Sequence, residues 1–266
     1  MITKNQDYII VIPSYKRSQL IQNNTLKVLE YYKINPNIIY IFVANKTEYN
    51  KYKIKLSIKY HKNIIIGKKG LKNQRNYISN YFPEKTKIVQ MDDDIKTINQ
   101  LYNYNSKNRK MNKLKTLSNL NKFIKNSFDL IIKNKCYLWG VYPINNPYFM
   151  FDKITNDLRF IVGPFFGIIN RHNKKLKLTI EEKEDSQRTL QYFVLDGCVT
   201  RFNNITIQTN YYKNKGGMQY SKKNRKDEAL KSVIYLNKKY PNLTELNFNK
   251  KSKIPEIKLI NKKISK

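Results

Sequence analysis

Four short apolar runs near the start of the chain, each followed by a polar stretch of helical spacing, most tightly constrain its fold. They are Tyr8-Ile9-Ile10-Val11-Ile12 (ended by Pro13), Ile38 to Val43, Asn63 to Ile66 and Lys87 to Met91. None alternates apolar with polar residues, as a strand with one wet face must, so both faces are expected to be covered. Helical patterns follow at about 18–32, with Leu20, Ile21, Leu26, Val28 and Leu29 on the apolar side, then at about 47–52 and 73–81. This alternation predicts an α/β fold: a single Rossmann-like, mostly parallel sheet with flanking helices.

The second half changes character. Tyr102 to Lys115 is basic and aperiodic and reads as a loop or mobile lid. Helical spacing resumes over Leu117 to Ile132. Strands are expected at Tyr137 to Tyr142, Phe165 to Ile169 and Val199 to Phe202, and helices at Asp185 to Leu195 and Ala229 to Lys239. The domain reading is 1–248 as one domain, with a regular first half at about 1–100 and a more irregular second half at about 101–248. Residues 249–266 form a solvated basic tail.

A chain of 266 residues with 40% hydrophobic content can bury one sizeable core. No apolar run approaches the roughly 18 residues needed to cross a bilayer, and Met1 to Asp7 lacks an apolar leader region, so the chain reads as soluble and intracellular. Cys136 and Cys198 lie far apart without paired spacing, which predicts reduced thiols, no disulfide and no zinc site. His61 and His172 are isolated and read as ordinary surface or core residues. The 52 Lys and Arg against 19 Asp and Glu give a net charge of +33, which attracts polyanions. An A/T-rich coding sequence would also favour the abundant Lys, Asn, Ile and Tyr, so charge alone identifies no partner.

Asp92-Asp93-Asp94 is the sharpest chemical signal. Three adjacent acids repel one another, and they follow a buried strand, at the edge where open α/β sheets bind ligands. One Asp suffices for a helix cap; three suit Mn²⁺ or Mg²⁺, which takes one or two carboxylates together with phosphate oxygens. Ile12-Pro13-Ser14-Tyr15-Lys16-Arg17 presents an aromatic face and two cations at a strand end, and Gly67 to Asn76 is a glycine- and lysine-rich strand-to-helix segment without a Walker A pattern. Glu181-Glu182-Lys183-Glu184-Asp185 is the second acid cluster and is suited either to a helix start or to a general base. Gly163 to Gly167 reads as a buried strand, and Lys215 to Gln219 as a hinge or plain loop.

Taken in order, Pro-Ser-Tyr-x-Arg, Gly-x-x-x-x-Arg-Asn, a strand ending in Asp-Asp-Asp and Glu-Asp about ninety residues later resemble GT-A glycosyltransferases of the family-2-like branch. Ile10 to Arg17, Ile39 to Ala44 and Gly70 to Asn76 look most like the TET/JBP-associated glycosyltransferases of phages and large DNA viruses. The resemblance covers roughly Tyr8 to Asn204 and implies that about 1–100 is the nucleotide-binding half and about 101–248 the acceptor half. It implies a metal-dependent hexosyltransferase with a UDP-sugar donor and a hydroxylated DNA base as acceptor, working inside an infected cell or carried in a virion. Pro13, Tyr15, Arg17 and Arg75 would contact the nucleotide, with Asp92 and Asp93 on the nucleotide sugar. Asp92 and Asp94 would hold the metal, and Asp185 beside Glu184 would act as catalytic base. On this resemblance Gly163 to Gly167 reads alternatively as a wall beside the transferred sugar. Gln-x-x-Arg-Trp is missing after Asp185, which excludes a processive synthase of the cellulose type.

Three alternatives stand beside this reading. One is the same transferase acting on glycan or protein hydroxyls. Another is a metal nuclease or nucleotidyltransferase, which would need carboxylates from several strands. The third is a non-catalytic nucleic-acid-binding protein, which leaves the aspartates unexplained.

Overall fold

The computed structural model describes residues 7–209, 216–217, 225–248 and 254–261. The first four strands are β1 (Ile9–Pro13), β2 (Ile39–Val43), β3 (Ile64–Ile66) and β4 (Lys87–Met91), running parallel in the order β3-β2-β1-β4. Successive side chains enter two different cores: Ile10, Ile12, Ile41 and Val89 pack on one face, and Ile9, Val11, Phe42 and Ile88 on the other. Cover on both faces is why these strands carry no polar alternation.

The helix after β1 is continuous but irregular: α1 (Ser18–Ile21), a π-helical turn (Gln22–Leu26) and α2 (Lys27–Tyr31). The π turn carries the buried Thr25, whose hydroxyl donates to the Asp92 carbonyl at 2.6 Å and accepts from the Ile95 amide at 3.0 Å. α3 (Lys46–Lys55) starts on the Asn45 side-chain cap, and α4 (Leu71–Tyr81) on Gly70, whose φ of 90° suits only glycine.

Beyond β4 come β5 (Thr97–Tyr102), β6 (Lys113–Thr116), α5 (Leu120–Lys133), β7 (Leu138–Tyr142), β8 (Ile154–Asp157) and β9 (Phe165–Ile169). α6 (Glu184–Asp196), β10 (Val199–Gln208), α7 (Arg225–Lys239), β11 (Thr244–Asn247) and β12 (Glu256–Leu259) complete the described chain. The sheet continues β4-β9-β7-β10-β5-β6, with β8 on β10. β9 and β5 run antiparallel to their neighbours, so the parallel first half passes into a mixed second half.

Several expectations need correction. The segment 102–115, expected as a loop or mobile lid, is a loop over 103–112 that joins the strands of the β5–β6 hairpin, but its ends are strand, with Leu101 paired to Leu114 and Tyr102 to Lys113; polar residues on the wet face hid the strand period. β10 runs past Phe202 to Gln208, because the turn-like Asn203 is buried in a register shift, donating to the Lys153 carbonyl at 2.9 Å. Part of the expected solvated tail is β12, paired with β11. Cys136 and Cys198 form a disulfide, with Cα atoms 5.6 Å apart. One precedes β7 and the other precedes β10, and these two strands are parallel neighbours, a proximity that linear spacing conceals. Among the described residues no helix is long and apolar enough to cross a membrane.

Candidate active site

The aspartate triplet leaves the end of β4 with three different fates. Asp93 turns inward: Ser14 donates to it at 2.5 Å, Arg17 Nη1 donates at 2.9 Å, and only 4% of its side chain is exposed. Arg17 Nη1 also lies 3.9 Å from Asp94 Oδ2. Ser14 is in turn bonded to the Tyr52 hydroxyl at 2.6 Å, so the β1 end and the β4 end are tied together under the triplet. Asp92 is held by its carbonyl to Thr25 and sends its half-buried carboxylate into a cleft of about 600 Å³. Burial, with Asp94, Asp93 and Glu184 nearby, pushes Asp92 up to about 7 against the pull of Arg75. Burial likewise lifts Asp93 to about 6, less than it would without Arg17 and Ser14.

Arg75 joins this edge to the second acid cluster. Its Nη1 donates to Gln90 at 2.7 Å and its Nη2 donates to the Gly163 carbonyl at 3.1 Å and approaches Asp92 at 3.4 Å. Its Nε lies 3.0 Å from Glu184 in charge contact, without hydrogen-bond alignment. On its other side Glu184 accepts from Arg188 Nη1 at 2.8 Å. Both guanidiniums lie over the Phe166 ring, Arg188 at 3.6 Å and Arg75 at 5.1 Å from its centroid.

The remaining acids of the cluster are also engaged. Glu181 caps α4 by accepting from the Leu71 amide, and Glu182 pairs with Arg225 at 2.8 Å. Asp185 differs: among the described residues no cation lies within ion-pair distance of it, and its carboxylate lines the same cleft as Asp92 and Arg75. Burial, and then the neighbouring Glu184, raise it to about 6. Lys183, in the left-handed region at φ 63°, starts α6 and turns the chain so that Glu184 and Asp185 enter the helix at the cleft.

Asp92, Arg75, Glu184 and Asp185, all expected at the site, line one cleft. Pro13, Tyr15, Arg17, Asp93 and Asp94 sit beside that place, at the adjoining ends of β1 and β4, and do not line the cleft. From the glycine-rich segment only Leu71 and Arg75 reach it. Gly67 is small for another reason: an added Cβ would stand 2.1 Å from Gln74 Oε1. Gly163 and Pro164 form cleft wall, whereas Phe165 to Gly167 are sheet interior. Of Lys215 to Gln219 only Gly216 and Gly217 are described; the Gly216 carbonyl accepts from Arg17 at 3.1 Å and the rest lies outside the described residues. His61 bonds the Leu56 carbonyl and His172 the Ser79 and Phe82 carbonyls, both structural contacts. Thr25 and Arg188 carried no sequence signal, and Phe166 stood out only as part of the 163–167 segment. Gln90 did, as a polar residue inside an apolar strand.

The donor set fits a divalent cation only in part. Among the described residues no three potential ligand side chains converge. Asp92 and Asp94 offer hard oxygen donors whose mutual repulsion a cation offsets, and phosphate oxygens would have to complete the coordination.

The solved structure of S. aureus TarS 1-349 in complex with UDP-GlcNAc is similar to this chain at 12% identity and a TM-score of 0.57, over 89% of this chain and 67% of that one. Structures of S. aureus TarS 1-349 alone and with UDP align at 12% and 11% identity with TM-scores of 0.48 and 0.47, each over 76% of this chain. In those two the match spans 59% of the TarS chain. The first likeness, with the strand order above, gives the fold as GT-A. No protein-family model matches the chain, and no curated protein matches it.

Proposed function

We propose that this chain is a glycosyltransferase moving a hexosyl group from a UDP-sugar to an acceptor hydroxyl, with a hydroxylated DNA base as the acceptor. The observation that supports it is one cleft holding Asp185, a carboxylate without a cationic partner among the described residues, together with the Arg75–Asp92 pair. The fold shared with a structure that binds UDP-GlcNAc agrees with a uridine nucleotide.

In this reading the nucleoside packs at the β1 end beside Pro13 and Tyr15, and Arg17 acts through Asp93 by fixing the shape of the β4 turn. Asp92 and Asp94 would hold Mn²⁺ or Mg²⁺ with the donor diphosphate, and the bound ion would neutralise charge on the leaving group. Arg75 supplies fixed positive charge beside the same group, pre-aligned by Gln90, Gly163 and Glu184. Asp185 accepts the proton of the acceptor hydroxyl as it attacks the anomeric carbon, the arrangement of an inverting transfer. Glu184 is a positioning residue, since both its oxygens face guanidiniums.

The test is a panel of UDP-, GDP- and CMP-sugars with Mn²⁺ or Mg²⁺, assayed for nucleotide release with 5-hydroxymethyl-pyrimidine DNA, plain DNA and oligosaccharides. Release that needs a UDP-sugar and hydroxymethyl DNA, and disappears in Asp185→Asn, supports the proposal. Equal release with oligosaccharides moves the acceptor to glycans, and no release with any donor sinks the transferase reading.

A further inference from the structure

The far wall of the cleft, away from Asp92, contains a cation that makes no ion pair with a carboxylate among the described residues, Asp157 acting on it only at longer range. Arg201 on β10 is half-buried and lines the cleft. Its contacts are neutral: Nε donates to Asn203 Oδ1 at 2.8 Å, Nη1 donates to the Phe160 carbonyl at 3.3 Å, and its guanidinium lies 5.2 Å from the Tyr142 ring centroid. Among the described residues no carboxylate lies within ion-pair distance of it. The neighbouring cation, Arg159, has its own acid in Asp157, with Nε 3.1 Å from both carboxylate oxygens. Burial and the Arg159 charge lower Arg201 to about 10 against the pull of Tyr142 and Asp157, so it still carries its proton at neutral pH but is held at a cost. A site that keeps such a charge is ready for an anion.

Its position relates it to the reacting groups. The segment 158–163 bonds Arg201 through the Phe160 carbonyl and Arg75 through the Gly163 carbonyl. Between them the Ile161 amide donates to Thr189 Oγ1 at 3.2 Å, and that hydroxyl donates to the Asp185 carbonyl at 2.8 Å. Three residues of chain span at most about 10 Å, so the two carbonyls that anchor these arginines lie within one or two nucleotide lengths of each other. Phe160 lines the cleft between them. A cation next to a half-buried aromatic ring suits a base with its phosphate, and the chain's net charge of +33 favours a polyanionic strand over an isolated anion.

We propose that Arg201, with Phe160 and Arg159 beside it, is a phosphodiester subsite that grips the nucleic-acid strand next to the residue receiving the sugar. This rests on the transferase reading of the cleft, so the test is a binding measurement that does not depend on turnover. Fluorescein-labelled single-stranded DNA, the same sequence with a neutral methylphosphonate backbone, and a polyol-phosphate polymer are titrated with the full chain between 50 and 200 mM NaCl, roughly the range in which phosphate contacts are lost. Arg201→Met is expected to weaken DNA about tenfold and to lower the salt slope by about 1, with no effect on the neutral probe. Arg201→Lys, which keeps the charge and loses the fork, is expected to bind DNA about threefold more weakly than the native chain, and it decides the matter if the Met variant does not fold. DNA binding unchanged in a folded variant, or an equal loss for the neutral probe, overturns the subsite. A polyol phosphate bound as tightly and as dependently on Arg201 overturns the nucleic-acid assignment. Thermal shift with UDP-sugar on the same preparation separates the two ideas: a shift without any Arg201 effect removes only the subsite, and no shift removes the transferase reading beneath it.

Discussion

Replacing Glu184 with Gln is the sharpest test of how the cleft is held together. The carboxylate has 5% of its side chain exposed and lies 3.0 Å from Arg75 Nε and 2.8 Å from Arg188 Nη1, whose own side chains are 3% and 6% exposed. Glu184→Gln keeps the shape and removes the charge, leaving two guanidiniums stacked on Phe166 with no shared counter-ion. Removing one partner of a buried pair costs about 3–5 kcal/mol. For a domain of this size each kcal/mol moves the melting temperature by roughly 2–4 °C, so a fall of about 6–20 °C is expected. Differential scanning calorimetry with and without UDP-sugar reads it directly. If Glu184→Gln melts within about 2 °C of the native chain yet abolishes transfer, Glu184 is itself the proton acceptor and the roles given to it and Asp185 are reversed.

Three further outcomes follow from the same geometry. With Asp185 raised to about 6, transfer at saturating substrates is expected to fall about tenfold per pH unit below 6, and Asp185→Asn to lose about 10²–10⁴-fold at neutral pH; a flat profile down to pH 5 contradicts its role. Asp92 at about 7 binds protons more tightly folded than unfolded, so its contribution to stability is full below about pH 4 and is lost as pH rises through 7. In EDTA, Asp92→Asn should therefore gain melting temperature relative to the native chain between pH 5 and 8, and a constant difference would refute this. The disulfide closes a separation of 62 residues, for which chain entropy gives about 4 kcal/mol, so Cys136→Ser should unfold at clearly lower urea concentration than the native chain; coincident urea curves would show that the bond contributes nothing.

The parallel half was legible because burial on both faces writes itself into the strands as unbroken apolar runs; β4 was placed from Lys87 to Met91 without error. The antiparallel half was less so. β5 and β6 mix faces, and Asn203 looks like a turn until its bonds to the Lys153 carbonyl and Thr155 are seen. The same limit applies to the site. Asp92, Arg75 and Asp185 stood out as scarce acids and a strand-to-helix arginine. Thr25, Arg188 and Arg201 are ordinary residues in a line of sequence, and acquire meaning only from what folding brings beside them. The disulfide is the plainest case, because β7 and β10 become neighbours only in the sheet.

The central claim is that the β4 edge binds a nucleotide diphosphate together with a divalent cation. Isothermal titration of UDP into the native chain, in Mn²⁺ and in EDTA, and into Asp92→Ala and Asp94→Ala, tests it most directly. The account predicts binding in Mn²⁺ that weakens at least about tenfold in EDTA and in each variant. UDP bound equally well in all four conditions, or in none, would contradict it.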